Sequence, residues 1–249
     1  MSDVAVIILA AGQGTRMGSD RAKVLHEISG KPMIHYVVET ARAVVDDVVV
    51  VVGHQREAVK ATLASYPQVR FAVQREQLGT GHAVMAALPE LKSDTKDVVI
   101  LCGDAPLIRA ETLVSLMEGH RAAQRSLTLL VTSLENPYGY GRVITDAQGC
   151  AMRIVEESDA SQRERKITIV NTGTYCIQVD VLRQFLPRLD SENVQGEFYL
   201  TDVIAQAYQE NIPACIVKAE TALEVLGVNT RDDLAAAERV VMASGGRAF

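Results

Sequence analysis

The chain has 249 residues, 48% of them hydrophobic, with 25 Lys and Arg against 31 Asp and Glu and a net charge of −6; its mean hydropathy is +0.09. That length admits one large α/β domain or a domain with a small subdomain, and the acidic balance argues against a general affinity for nucleic acid, which rests on a basic face. No apolar run approaches the ~20 residues of a membrane span, and Met1-Ser2-Asp3 lacks the basic stretch and apolar core of a signal peptide, so a cytoplasmic protein is expected.

Val4–Leu9 reads as an apolar strand running into Leu9-Ala10-Ala11-Gly12-Gln13-Gly14-Thr15-Arg16-Met17-Gly18, with Lys23 beyond. Glycine at 12 and 14 lets the backbone approach a ligand and aim N–H groups at it. Arg16 and Lys23 make that ligand an anion, a polyphosphate before a lone carboxylate. This is not a Walker loop, which closes on Gly-Lys-Ser/Thr. It is not a dinucleotide fingerprint either: the glycines are one residue out of register, and the next strand ends in Gly53-His54 without the ribose-binding acid.

A helix is predicted over Met33–Val44, started by Pro32. The strand Val48–Val52 leads to a helix near Arg56–Tyr66. Val69–Val73 leads to Gly79-Thr80-Gly81 and a helix through Leu88. Val98–Cys102 leads to a loop and a helix near Glu111–Arg125. Strands as apolar as Val48–Val52 are buried on both faces, as in a parallel sheet covered by helices. The repeated strand–helix unit predicts a Rossmann-like, doubly wound, mostly parallel α/β sheet with helices on both faces. Ligands in such sheets lie beyond the carboxyl ends of the strands, where the loops at Gly12, Gln74–Gly81 and Gly103-Asp104 should converge.

Leu127–Thr132 reads as a further strand. Pro137-Tyr138-Gly139-Tyr140-Gly141 then precedes two short strands, Arg142–Thr145 and Ala151–Val155. Ser158–Lys166 is expected as a mobile polar loop, Ile167–Ile177 as a strand, and helices near Val181–Leu189 and Leu200–Gln209. Ala214–Lys218 closes the strands and Arg231–Met242 is a final helix. This gives one domain over residues 1–240, with a nucleotide-binding part at about 1–135, a smaller β-rich acceptor-binding part at about 136–230, and a tail at 241–249. The four cysteines are far apart, with no C-x-x-C, and are expected as reduced, mostly packed thiols. The five histidines form no H-E-x-x-H pattern and are expected on the surface or in the core rather than as ligands.

Asp104, just after the strand Val98–Cys102, sits beside a glycine that admits a phosphate. It is a candidate Mg²⁺ ligand, and it would equally cap the helix that follows. The polyphosphate loop on the neighbouring strand favours the metal.

Leu9-Ala10-Ala11-Gly12-x-Gly14-Thr15-Arg16-Met17 with Lys23 resembles the signature of the sugar-phosphate nucleotidyltransferases. A second set is more specific. It comprises Gln74 with Gln77-Leu78-Gly79-Thr80-Gly81-His82-Ala83, Gly103-Asp104-x-Pro106-Leu107, Gly139-Tyr140-Gly141-Arg142 and Val155-Glu156. Asn171-Thr172-Gly173, Gln195-Gly196-Glu197-x-Tyr199-x-Thr201-Asp202 and Gly227-Val228-Asn229 complete it. Together these resemble the N-acetylglucosamine-1-phosphate uridylyltransferase domain of a bacterial bifunctional enzyme, over about residues 4 to 240. The resemblance implies attack of N-acetylglucosamine-1-phosphate on the α-phosphorus of UTP, giving UDP-N-acetylglucosamine and pyrophosphate for cell-wall and lipopolysaccharide precursors. It implies catalytic roles for Arg16 and Lys23, and Mg²⁺ held by Asp104 and Asn229. The nucleotide would be bound by Leu9, Ala10, Ala11, Gly12, Lys23, Gln74, Gly79, Thr80 and Gly103. The sugar would be bound by Gly141, Glu156, Asn171, Tyr199 and Thr201. It implies neither a nucleic-acid nor a membrane partner, and an acetyltransferase domain in a longer natural chain.

Two places depart from the family pattern. Cys102 stands where tyrosine is common, and Glu157-Ser158 where a polar residue and lysine are frequent, which removes a cation expected beside the acceptor's phosphate. The rival readings are a nucleotidyltransferase for another sugar-1-phosphate or another NTP, and a non-catalytic UDP-sugar-binding module.

Overall fold

A computed structural model describes residues 3–243. Its strands are β1 (Val4–Ala10), β2 (Glu27–Ile28), β3 (Lys31–Pro32), β4 (Val48–Val52), β5 (Arg70–Val73) and β6 (Asp97–Cys102). They continue with β7 (Leu127–Ser133), β8 (Arg142–Thr145), β9 (Ala151–Val155), β10 (Ile169–Gln178) and β11 (Cys215–Lys218). The helices are α1 (Met33–Val44), α2 (Arg56–Thr62), α3 (Thr80–Ala87), α4 (Ala110–Ala122), α5 (Val179–Phe185), α6 (Asp202–Gln209) and α7 (Arg231–Ala243). No helix among the described residues is long and apolar enough to cross a membrane.

One sheet runs β11-β7-β10-β6-β1-β4-β5, with the β8–β9 hairpin joined to β10. The pairs β1–β4, β1–β6, β4–β5 and β7–β11 are parallel. β10 runs antiparallel to both β6 and β7, so a reversed strand sits inside a mostly parallel sheet. The α/β, doubly wound expectation therefore holds, and the direction of β10 is the feature added to it.

The two-residue period of the strands divides their side chains between two cores. Ile7, Val49 and Val51 face α3, α5 and α6 through Val84, Leu182, Phe185 and Ile204. Val6, Ile8, Val48, Val50 and Val52 face α1, α2 and α4 through Val37, Val59, Leu113 and Leu116. All five β4 valines are fully buried, and each such side chain contributes roughly 1.5–3 kcal/mol by leaving water. A third cluster joins Met17, Ile28, Met33 and Tyr36 to Leu107, Val228, Ala237 and Val241. It seats α7, and the Asn229 turn before it, against the loop that follows β1.

Three local expectations change. The segment Ser158–Lys166 contains a 3-10 turn at Glu164–Lys166 and is tied down. Ser161 donates through its N–H and hydroxyl to Glu164 at 2.9 and 2.6 Å, and Arg153 pairs with the same carboxylate at 2.5 Å. These donors hold the Glu164 carboxyl down at about 2. The β2–β3 hairpin was not expected. Its turn is Ser29-Gly30, both at positive φ (51° and 79°), a Ser-Gly signal the pattern of longer elements hides. Residues 241–243, expected in a tail at 241–249, belong to α7, which runs through Ala243; the other positions of that expectation, 244–249, lie outside the described residues. The four cysteines are free thiols, Cys176 buried and the others half-buried.

Candidate active site

The loops after β1, β5 and β6 converge at the carboxyl edge of the sheet around two adjoining cavities. One, of about 320 Å³, is lined by Leu9, Ala10, Ala11, Gly12, Gly14, Arg16, Lys23, Gln74, Gln77, Gly79, Thr80, Cys102, Asp104, Glu197 and Asn229 among others. The second, of about 290 Å³, is lined by Gly139, Tyr140, Gly141, Glu156, Asn171, Gly173, Tyr175, Thr201 and Gly227 among others. Leu9, Arg16, Thr80, Cys102, Asp104 and Asn229 line both, so the cavities share a wall.

The charged groups meet at that wall, which Lys23 reaches from the first cavity. Lys23 Nζ pairs with Asp104 Oδ2 and donates to Asn229 Oδ1 at 2.7 Å. Arg16 donates to the same Asn229 oxygen at 2.8 Å. Asn229 Nδ2 donates to the Gly227 carbonyl at 3.0 Å, which turns the amide oxygen toward the cations. The Val228 N–H donates to the Asp104 carbonyl at 2.8 Å, fixing the two loops to each other. Residues 16, 23, 104 and 229, far apart in sequence, thus form one polar cluster. Gly14 has φ +72°, and a Cβ there would lie 2.6 Å from Lys23 Cβ, so the approach of Lys23 needs this glycine.

On the first cavity's far side Gln74 is 3% exposed. Its Nε2 donates to the Gly79 carbonyl at 3.0 Å and faces His82 Nδ1 at 3.2 Å. A carbonyl only accepts, so the amide orientation is determined and both amide protons are engaged. Its oxygen is the atom left for a ligand, so Gln74 offers an acceptor and not the donor–acceptor pair its side chain carries in isolation. His82, expected as an ordinary surface or core histidine, orients this amide.

In the second cavity Thr201 donates to Glu156 Oε1 at 3.3 Å. Burial raises the Glu156 carboxyl above the ordinary carboxylate range; Asp202 and Asp159 add to this, while the Thr201 hydroxyl and Arg142 oppose it. Asn171 donates from Nδ2 to the Tyr175 hydroxyl at 2.7 Å and accepts from the Gly173 N–H at 3.1 Å. The Asn171 N–H bonds the Gly141 carbonyl at 2.8 Å. The β10 register shifts between Asn171 and Thr174, and this irregularity gives Asn171 and Gly173 their place on the wall. A Cβ on Gly141 would lie 2.8 Å from Ile154 Cγ2 and 3.3 Å from both Glu156 oxygens. Gly141→Ala is therefore expected to raise KM for the ligand of this cavity about tenfold through overpacking, with KM for the ligand of the other unchanged; steady-state kinetics in both substrates checks this.

Two expected site residues lie off the cavity walls. Tyr199 is 7% exposed and its hydroxyl is 3.3 Å from Asp159 Oδ2, so its ring is part of the packing behind Thr201. Gly103 is held by its N–H to the Leu9 carbonyl at 2.9 Å, between wall residues Cys102 and Asp104. Glu157 is paired. It pairs at 2.6 Å with Arg142, whose side chain is 2% exposed, and accepts from the Gly139 N–H at 3.1 Å. Burial alone would raise its carboxyl; that amide and Arg142 hold it below the ordinary range. Gln77, Glu197, Tyr140 and Tyr175 line the cavities without having been singled out; Gln77, Tyr140 and Glu197 stand inside motifs quoted above, which was the available signal. Burial pushes the Cys102 thiol up to about 12, so it is a neutral wall group and not a nucleophile.

Residues 6–193 match the MobA-like NTP transferase domain. The chain is 48% identical over 240 residues to the bifunctional protein GlmU of Geobacter metallireducens, covering 96% of this chain and 50% of that protein. It is 48% identical over 251 residues to GlmU of Anaeromyxobacter dehalogenans, covering 99% and 51%. The chain thus spans about half the length of the curated relatives it matches. A solved Bacillus anthracis structure assigned as a glucose-1-phosphate thymidylyltransferase superposes with a TM-score of 0.76 at 19% identity, over 95% of this chain and 94% of that one. That likeness is one of fold.

Proposed function

This chain belongs to the MobA-like NTP transferase family, and we propose that it transfers a uridylyl group from UTP to N-acetylglucosamine-1-phosphate, releasing pyrophosphate and UDP-N-acetylglucosamine. The observation that carries this reading is the cluster of Arg16, Asp104 and Asn229 on the wall the two cavities share, with Lys23 bonded to it from the first cavity. A displacement between two phosphates needs alignment and relief of charge repulsion at phosphorus. A phosphomonoester is largely dianionic at neutral pH, its second pKa being about 6. The nucleophile therefore needs no general base, and the reading assigns none.

Arg16 and Lys23 take the phosphates of UTP. Asp104 and Asn229 present two hard oxygens that already accept from a cation, the Lys23 ammonium, which suits Mg²⁺. When bound, the metal would neutralise phosphate charge, with water and phosphate filling its remaining positions. Gln74 Oε1 would accept from the N3–H of uracil, while cytosine presents an acceptor at that place. Glu156 would accept from sugar hydroxyls. An acetyltransferase half would belong to the other half of the GlmU relatives, in a longer natural chain.

With UTP, N-acetylglucosamine-1-phosphate and Mg²⁺, pyrophosphate and UDP-N-acetylglucosamine are expected in equal amounts; chelation of the metal should stop release, and CTP should be at least about 10²-fold poorer in kcat/KM because an acceptor faces an acceptor. Thymine shares the N3–H of uracil, so dTTP is the informative competitor, and glucose-1-phosphate is the competing acceptor. Absence of pyrophosphate with every NTP and sugar phosphate would overturn the reading in favour of a binding module.

A further inference from the structure

The turn after β4 grips the phosphate-facing loop at both ends. At its start the His54 N–H donates to the Ala11 carbonyl at 3.1 Å. At its end Gln55 Nε2 donates to the Asp20 carbonyl at 2.8 Å, and Gln55 Oε1 accepts from the Ala22 N–H at 2.9 Å. His54 Nε2 lies 3.2 Å from the same Asp20 oxygen. Since that oxygen only accepts, the amide orientation of Gln55 is determined and His54 carries a proton on Nε2. Between these points Arg231 of α7 holds the Met17 and Gly18 carbonyls, each at 3.3 Å.

Ala22 stands immediately before Lys23 and caps the Lys23–Leu25 turn with no side-chain bond of its own. The Gln55 bond to its N–H is thus one residue from the lysine that lines the first cavity and bonds Asp104 and Asn229. Gln55 adopts φ +50°, where glycine is at ease and glutamine is not. Its side chain is exposed, so burial does not hold it there, and it makes no capping bond for α2, whose N-terminus it occupies. What the strained backbone achieves is to aim both amide functions at residues 20 and 22.

We propose that Gln55 is a positioning residue for nucleotidyl transfer: its side-chain amide clamps Asp20 to Ala22 and so fixes where Lys23 meets the nucleotide. The proposal rests on the reading above for the reaction, but the clamp itself does not. A displacement of about 1 Å at a reacting group can lower a rate by ~10²-fold. A clamp that is one of several anchors is expected to matter by about tenfold.

Two variants separate positioning from folding. Gln55→Gly removes the clamp and relieves the backbone; Gln55→Ala removes the clamp and keeps the strain. Both are expected to lower kcat for pyrophosphate release about tenfold, with KM for the sugar phosphate unchanged. Their melting temperatures should diverge, the glycine variant matching or exceeding the parent and the alanine variant falling below it. In both, hydrogen exchange at the Ala22 amide should speed up about tenfold. A kcat that follows melting temperature, normal with glycine and low with alanine, would reduce Gln55 to a structural residue and overturn the proposal. So would unchanged exchange at Ala22. If the parent protein releases no pyrophosphate, the reaction assignment fails, and the exchange measurement still decides whether the clamp exists.

Discussion

Lys23→Ala is expected to lower kcat for pyrophosphate release by about 10³-fold, the range seen when a preorganised group facing developing charge is removed. The lysine pairs with Asp104, reaches Asn229 Oδ1 at 2.7 Å, and is approached by Gly14 so closely that no side chain fits there. Its removal deletes a positive charge from the first cavity and leaves Arg16 as the remaining cation on Asn229 among the described residues. Stability should change much less. The Lys23 and Asp104 side chains are 14% and 22% exposed, so Asp104 opens to a hydrated cavity once its partner is gone. A loss near 1 kcal/mol would move the melting temperature of a chain this long by roughly 2–4 °C. Asp104→Ala should be about as inactive, because it removes the carboxylate from the pair of oxygens assigned to the metal. Lys23→Arg is the informative conservative change. A planar fork is not a point charge, and the arginine should recover little of the rate. Stopped-flow or coupled pyrophosphate assays, read beside thermal melts, decide the matter; a variant at position 23 with near-parental kcat and folded stability would remove the lysine from the chemistry.

The reason this cluster was legible in the sequence is local. Three of its four residues lie in short motifs at the ends of apolar strands, the glycine loop after β1 with Arg16 and Lys23, and Gly103-Asp104 after β6, while Asn229 was indicated by the family resemblance. The valine run of β4 and the short strands β8 and β9 start and stop where their apolar and turn residues say they should. What was not legible depends on partners distant in the chain. Nothing in Ile169–Gln178 states that β10 runs against β6 and β7, since an apolar strand buried on both faces reads alike in either direction. Tyr199 stands two residues from Thr201 in one motif, yet Thr201 reaches Glu156 and Tyr199 turns toward Asp159. The pairing of Glu157 was not legible because Arg142, its buried partner, is fifteen positions away. The orientation of the Gln74 amide needs the Gly79 carbonyl and His82, whose placement only the folded loop defines.

Glu156→Gln is expected to separate function from stability in opposite directions. Burial is the main reason the Glu156 carboxyl titrates above its ordinary range. The folded state then holds the proton more tightly than the unfolded chain. The resulting stabilisation is fully present below the unfolded value and is lost as pH rises through the folded one. Above that folded value the protein carries a buried carboxylate at a cost, and a neutral glutamine of the same shape avoids it. The variant should melt higher than the parent at pH 8, with the difference closing toward acid pH. Its acceptor chemistry should suffer. Hydrogen bonds to a charged oxygen contribute about 1.5–3 kcal/mol each, against about 1 for neutral ones. Losing that difference at sugar hydroxyls lowers kcat/KM for N-acetylglucosamine-1-phosphate about 10- to 100-fold, with KM for UTP unchanged.

The pH dependence supplies the control. In the parent, KM for the sugar phosphate should rise as pH falls through the Glu156 titration. The substrate's own second ionisation, near 6, adds a step of its own, but it is common to both proteins. The step that survives in Glu156→Gln therefore belongs to the phosphate, and the step that disappears belongs to the carboxylate. A higher melting temperature combined with an unaltered acceptor KM would make Glu156 a buried structural acid. A lower melting temperature would mean that the contacts to Thr201 and the attraction of Arg142 outweigh desolvation. The predicted pairing, more stable and less active, requires a charge kept buried because the acceptor needs it.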